Sequence, residues 1–134
     1  MSVFSWPVRI YWEDTDAGGV VYHANYVRFM ERARTEWLRA QGIDQLSLRQ
    51  STGLGFVVRD MTLDFLRPAR LDDELTVTLA VKERRSASML FGQEIVRGDT
   101  TLVRATVRAA CVDLDSMRPA QIPPGLFRPE SPLT

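Results

Sequence analysis

Between Asp14 and Asn25 the chain reads Asp-Thr-Asp-Ala-Gly-Gly-Val-Val-Tyr-His-Ala-Asn, and this stretch concentrates the residue types that do chemistry. Asp14 and Asp16 lead into Gly18 and Gly19, and His23, the single histidine, follows. A long segment without proline or glycine starts at Asn25. A carboxylate acts as base or nucleophile, and the unpaired N–H groups that open a helix hold a developing negative charge. Aspartates in water titrate near ~3.9, so a carboxylate is available at neutral pH without a partner to activate it. These types in this order suit attack on an activated carbonyl. By themselves they suit a plainer role better, because aspartates often only shape the turn before a glycine. Asp14 is the neighbouring alternative to Asp16, since alternate residues of a strand end share a side.

His23 lies across the Gly-Gly turn from Asp16. Its backbone N–H can donate to a carbonyl oxygen and its ring can orient a carboxylate or water. The backbone role is the weightier, because it does not depend on the ring's protonation. Gly19 and its neighbour Gly18 allow positive φ or a close substrate approach, and a plain turn satisfies both. Tyr22 and Tyr26 can line an apolar cavity or simply pack. Asn25 reads as a helix cap.

The elements that must position these residues follow from periodicity. Val8, Ile10 and Trp12 alternate with Arg9, Tyr11 and Glu13 and predict a short strand. Asn25 to Gln41 predicts a helix, with Tyr26, Met30, Ala33, Trp37 and Leu38 on one stripe and Gly42 as its C-terminal cap. Glu31 and Glu36 sit on its polar surface, able to pair with Arg32, Arg34 or Arg39. Residues 43–54 read as an irregular or partly helical link. Four strands follow, at Phe56–Leu66, Glu74–Lys82, Ala87–Val96 and Leu102–Asp113. The links between them are too short for parallel crossovers, so the strands are antiparallel neighbours. From Pro119 five prolines predict an extended or disordered tail. The whole, 1–134, reads as one α+β domain with a sheet curled round a single helix, whose uncovered face and edges call for oligomerisation.

Composition narrows the function classes. Lys+Arg and Asp+Glu are 17 each, so bulk charge draws the protein to neither nucleic acid nor anionic membrane. Cys111 is the single cysteine, which excludes an intrachain disulfide and a multi-cysteine zinc site. The Asp-x-Asp pair lacks the further oxygen ligands of a calcium loop, so no metal is expected. There is no Gly-x-Ser-x-Gly elbow, P-loop or dinucleotide fingerprint. Met1–Pro7 lacks the basic start and apolar run of a signal peptide, and no stretch approaches the ~18 apolar residues of a membrane span. The expectation is a soluble cytoplasmic protein.

Tyr11-Trp12-Glu13-Asp14-Thr15-Asp16-Ala17-Gly18-Gly19-Val20-Val21-Tyr22-His23-Ala24-Asn25-Tyr26, followed by Glu31-Arg32-Ala33-Arg34-Thr35-Glu36, resembles the hotdog-fold acyl-CoA thioesterases. The pattern is most similar to the YbgC-like, Tol-Pal-associated branch of the 4-hydroxybenzoyl-CoA thioesterase group. Phe56-Val57-Val58-Arg59, Pro68-Ala69-Arg70-Leu71-Asp72-Asp73 and Cys111-Val112-Asp113 resemble it too, and the likeness covers about residues 8–123.

The resemblance implies a hotdog fold, a five-stranded antiparallel sheet around one long helix, and hydrolysis of an acyl-CoA thioester to free acid and coenzyme A. It places the catalytic carboxylate on Asp16, as nucleophile or general base, and the helix start that polarises the carbonyl near Tyr22 and His23. Asp14 is left to hydrogen bonding in the turn. The 4-hydroxybenzoyl enzymes carry proline and alanine after the aspartate and tyrosine at the His23 position. Ala17, Gly18 and His23 shift the expectation toward short-chain or general acyl-CoA substrates. Phe56, Val57 and Val58 match the family's substrate-contacting strand start. Arg85 and Ser86, at the turn Arg84-Arg85-Ser86, match its basic turn, and arginine suits the phosphates of coenzyme A. No separate cofactor is implied, because coenzyme A belongs to the substrate. Homodimers or homotetramers are implied, with acyl carrier protein an alternative carrier. Two rival functions use the same residues: a hydroxyacyl-thioester dehydratase employing His23, and a non-catalytic acyl-carrier or scaffold partner.

Overall fold

The computed structural model describes residues 2–127. In chain order these form β1 (Phe4–Arg9), a short 3-10 turn (Trp12–Asp14), α1 (His23–Ala40), α2 (Gln45–Thr52), β2 (Leu54–Phe65), β3 (Glu74–Arg84), β4 (Ser88–Arg97) and β5 (Thr100–Asp113). The strands make one sheet in the order β1-β3-β4-β5-β2, with every pairing antiparallel.

The first strand ends earlier than alternation predicts. The Asp14 carboxylate accepts the Tyr11 N–H at 2.8 Å, and the Thr15 N–H bonds back to the Trp12 carbonyl at 3.0 Å. These local bonds wind residues 12–14 into a 3-10 turn, leaving Ile10 buried and Trp12 80% exposed. Pro7 is tolerated in β1 because that strand is an edge, paired only with β3.

α1 begins at His23, with Tyr22 as its cap, so Asn25 lies inside the first turn rather than capping it. The expected stripe is buried, with Phe29 added to Tyr26, Met30, Ala33, Trp37 and Leu38. At the other end Gly42 takes φ +82°, its N–H bonds to Arg39 O, and the Ile43 N–H reaches Leu38 O. This reciprocal pattern needs a left-handed residue, which glycine supplies without steric cost. α2 is a regular helix within the expected irregular link, capped by the Asp44 carboxylate on the N–H groups of Leu46 and Ser47.

α1 packs on the sheet face formed by Leu75, Val77, Leu79 and Val81 of β3 and Val103, Ala105, Val107 and Ala109 of β5, all buried. One apolar cluster lies around the first half of α1 and includes Tyr26, Phe29 and Met30. A second includes Trp37, Leu79, Phe91 and Val107. Between them the buried Gln93 donates to Met30 O at 3.1 Å and accepts from Arg34 at 3.0 Å, so its amide is satisfied. Register shifts after Val58, Val81 and Ile95 mark bulges, which sharpen the bend of a sheet.

The tail also departs from expectation. After β5 it turns back, pairs Pro119 with Val112, and sends the Ala120 N–H to Cys111 O at 2.9 Å. Ile122, Leu126 and Phe127 pack on the second cluster. The segment is extended because of its prolines but docked because of these apolar side chains. Residues 128–134 lie outside the described part. Among the described residues no helix is long and apolar enough to cross a membrane.

Candidate active site

The loop carrying Asp16 is a tight hairpin. Thr15 bridges Val21, the Asp16 N–H bonds to Val20 O at 2.9 Å, and the Gly19 N–H bonds to Asp16 O at 3.0 Å. Gly19 takes φ +78° with open space where a Cβ would stand, so its role within the chain is the turn itself. Asp16 is exposed. Its Oδ1 accepts the Gly18 N–H at 2.8 Å, while Oδ2 takes no hydrogen bond among the described residues. The side chain therefore does shape the turn, and one oxygen is left over.

Asp14 has the opposite environment. It is buried, with Oδ2 on the Tyr11 N–H and Oδ1 accepting the Asn25 side-chain amide at 2.9 Å. Asn25 Oδ1 accepts in turn from Arg28 at 3.2 Å. The Asp14 carbonyl accepts the Tyr22 N–H at 2.9 Å. These bonds fasten the loop to the first turn of α1. The sequence offered Asn25 as a cap because asparagine favours caps; the buried Asp14 competed for its amide.

At the start of α1 the Tyr22 N–H goes to Asp14 O and the Asn25 N–H to Tyr22 O at 2.8 Å. The N–H groups of His23 and Ala24 remain as open donors among the described residues, as the first turn of a helix dictates. The exposed His23 ring stands 4.7 Å from the Tyr22 ring and 6.3 Å from Phe65. Of the two roles open to Tyr26, lining a cavity or packing, packing is the one seen within the single chain. Tyr26 is 4% exposed, and its hydroxyl accepts the Ala69 N–H at 2.9 Å, tying α1 to the loop after β2. Burial raises the Tyr26 pKa above the ordinary phenol value, against the lowering effect of that bond.

The remaining expected residues lie elsewhere. Phe56, Val57 and Val58 line a cavity of about 240 Å³ between α1 and the sheet, together with Glu31, Arg34 and Trp37. Phe56 pairs with Cys111 at one end of β2, and Phe65, beside His23, pairs with Val103 at the other. Nine residues of strand separate these ends by roughly 30 Å. Arg85 and Ser86 form the β3–β4 turn, beside a second cavity of about 210 Å³. Arg85 is exposed and pairs with Glu83 at 3.2 Å. Glu83 is held below the usual carboxylate range, first by its hydrogen bond from Arg108 and then by the charge of Arg85. A single chain thus splits the candidate residues into two groups: Asp16, Gly19, Tyr22 and His23 at one end of β2, and Phe56–Val58 with Arg85 and Ser86 toward the other. Phe65 carries no signal in the sequence, nor does Phe127, which also lines the larger cavity.

The model of the thioesterase-like superfamily matches residues 10–128. The acyl-CoA thioesterase YbgC of Haemophilus influenzae is 50% identical over 120 residues, covering 90% of this chain and 88% of the relative. The acyl-CoA thioester hydrolase YbgC of Escherichia coli is 49% identical over 123 residues, covering 91% of each. A probable thioesterase from Bartonella henselae superposes with a TM-score of 0.87 at 36% identity, covering 91% of this chain and 100% of its own. The five-stranded sheet and long helix are those of the hotdog fold, and this chain belongs to the thioesterase-like superfamily as a thioester hydrolase.

Proposed function

We propose that this protein hydrolyses acyl-CoA thioesters to a free acid and coenzyme A, in a site completed by two copies of the chain. The observation that carries this reading is the fastening of the Asp16 loop to the start of α1: a carboxylate with a free oxygen stands on a turn bonded to a helix whose His23 and Ala24 N–H groups are open. Those donors stabilise the oxyanion that forms on the thioester carbonyl. Asp16 either takes a proton from water as it attacks, or attacks itself and forms an anhydride that water then opens. In both routes the C–S bond breaks and one water is consumed, its oxygen ending in the acid or in the Asp16 carboxylate, while the thiolate takes up a proton and leaves as coenzyme A.

The edge of the sheet calls for the second copy. β2 is an edge strand with Val58, Phe65 and Leu66 exposed along or beside it. Such an edge is a template for pairing. A two-fold, antiparallel pairing of β2 with its copy brings the Phe65 end of one chain to the Phe56–Val58 end of the other. Asp16 and His23 then face the cavity of the opposite subunit, and Arg85 with Ser86 is placed for the nucleotide phosphates. Pairing of two such dimers gives the tetramer the family resemblance implies. Acyl carrier protein is the alternative carrier. Cytoplasmic placement accords with the single buried Cys111.

The test is thiol release by purified protein over short, long and aromatic acyl-CoAs. Free coenzyme A appearing with the acid supports hydrolysis. Hydration or dehydration of a hydroxyacyl-CoA without thiol release would replace it with the dehydratase reading. Acyl binding without either reaction would leave the carrier or scaffold reading.

A further inference from the structure

Among the described tail residues, Phe127 alone lines both cavities. Its ring is stacked on Trp37, with centroids 5.4 Å apart and planes at 28°, and leans on Phe56 at 6.0 Å. The Arg84 guanidinium lies 5.7 Å above it. It is on the wall of both cavities, the one of about 240 Å³ between α1 and the sheet and the one of about 210 Å³ beside the Arg84-Arg85-Ser86 turn. The tail that brings it there is anchored by two backbone bonds, Ala120 N–H to Cys111 O at 2.9 Å and Ile122 N–H to Ser86 O at 2.7 Å. Pro123 and Pro124 restrict the backbone that follows.

The larger cavity has a mainly aliphatic and aromatic wall, with Val57 and Val58 at the β2 edge and Trp37, Phe56, Met89 and Phe127 deeper in the second core cluster or packed against it. Such a wall fits an unbranched hydrocarbon chain, and each methylene that enters gains about fourfold in binding. The gain stops where the wall stops. We propose that Phe127 is that stop: a tail-borne residue that sets how long an acyl group the cavity takes. The inference rests on the acyl-CoA hydrolase reading for its substrate, and on the position of the ring for its mechanism. Truncating the ring joins the two cavities and leaves room for further methylenes. Enlarging it shortens the space.

The experiment uses the full-length chain as wild type, Phe127→Ala, Phe127→Leu and Phe127→Trp. Each is first checked by circular dichroism and gel filtration. The straight-chain series from acetyl-CoA to palmitoyl-CoA is measured by thiol release, and the matching free fatty acids are measured by calorimetric binding. The expected result is a rise of about tenfold or more in the long-to-short ratio of kcat/KM for Phe127→Ala, the value of two buried methylenes. Phe127→Leu shifts the ratio the same way by less, and Phe127→Trp lowers it. Fatty-acid binding follows the same order. An equal factor across all lengths marks a purely structural residue and overturns the proposal, as does an unchanged profile. Phe127→Leu decides the matter if the alanine variant does not fold. Length-dependent binding that shifts with residue 127 in a protein that releases no thiol would refute the hydrolase reading and leave the wall standing. Wild-type protein that neither turns over acyl-CoA nor binds fatty acid would overturn both.

Discussion

Asn25 donates its side-chain amide to Asp14 across 2.9 Å, and with the Tyr22 N–H on the Asp14 carbonyl this bond joins the first turn of α1 to the loop that presents Asp16. The Asp14 carboxylate is largely buried, 9% exposed. Loss of one partner from a buried charged group costs about 1–3 kcal/mol. Asn25→Ala is expected to lower stability to urea by that amount and to reduce thiol release, because the loop is no longer fixed to the helix. A variant as stable and active as wild type would show that the loop is held by other means.

The open N–H of His23 is separable from its ring. His23 is the first residue of α1, a position where proline fits a helix, and Tyr22 before it has φ −62° and ψ 130°, a conformation proline tolerates. His23→Ala keeps the N–H and is expected to retain most activity. His23→Pro removes only the donor from the backbone, and turnover should fall by about 10²–10³ with the fold intact. Equal, large losses in both variants would move the role to the imidazole.

Legibility in the sequence followed the strength of local rules. The apolar stripe of α1 and the alternation of β3 and β5 were readable because each buries one continuous face. The end of β1 was not, because Asp14, eleven residues before its partner Asn25, diverts the chain into a turn that alternation cannot register. The carboxylate and the glycine turn were readable as types. That Phe56–Val58 stand at the far end of β2 from His23 was not, since it depends on which strand forms the sheet edge. The docking of Phe127 was hidden by the prolines before it, which signal an extended chain and say nothing of what that chain touches.

Asp73 gives the fold a pH signature. Burial pushes its carboxyl up, but the Arg70 N–H and the Arg97 guanidinium, 2.7 Å away, outweigh it and hold the pKa below the ordinary value. The folded state therefore binds this proton less tightly than the unfolded chain. The stabilisation is complete above the unfolded value of ~3.9 and is lost as pH falls through the lower folded value. Asp73→Asn is expected to be less stable than wild type at neutral pH, with the gap closing below about pH 4. Urea denaturation at a series of pH values checks this; a gap that stays constant with pH contradicts it.

A shared site predicts complementation. Asp16→Asn and Val58→Trp should each be inactive, the first through the carboxylate and the second through the blocked cavity. In a mixed dimer one site carries both defects and the other carries neither. Unfolding and refolding the two variants together should restore roughly a quarter of wild-type activity, since half the dimers are mixed and each has one good site. Mixtures that remain as inactive as their components would place the whole site within one chain.

The central claim is that the free oxygen of Asp16 acts on a thioester held at the start of α1. Thiol release by folded Asp16→Asn, compared with wild type on the best acyl-CoA substrate, tests it most directly. Asparagine keeps the acceptor for the Gly18 N–H but loses the charge, so the turn survives while kcat is expected to drop by roughly 10²–10⁴-fold. Turnover within a few-fold of wild type in a pure, folded sample would contradict it.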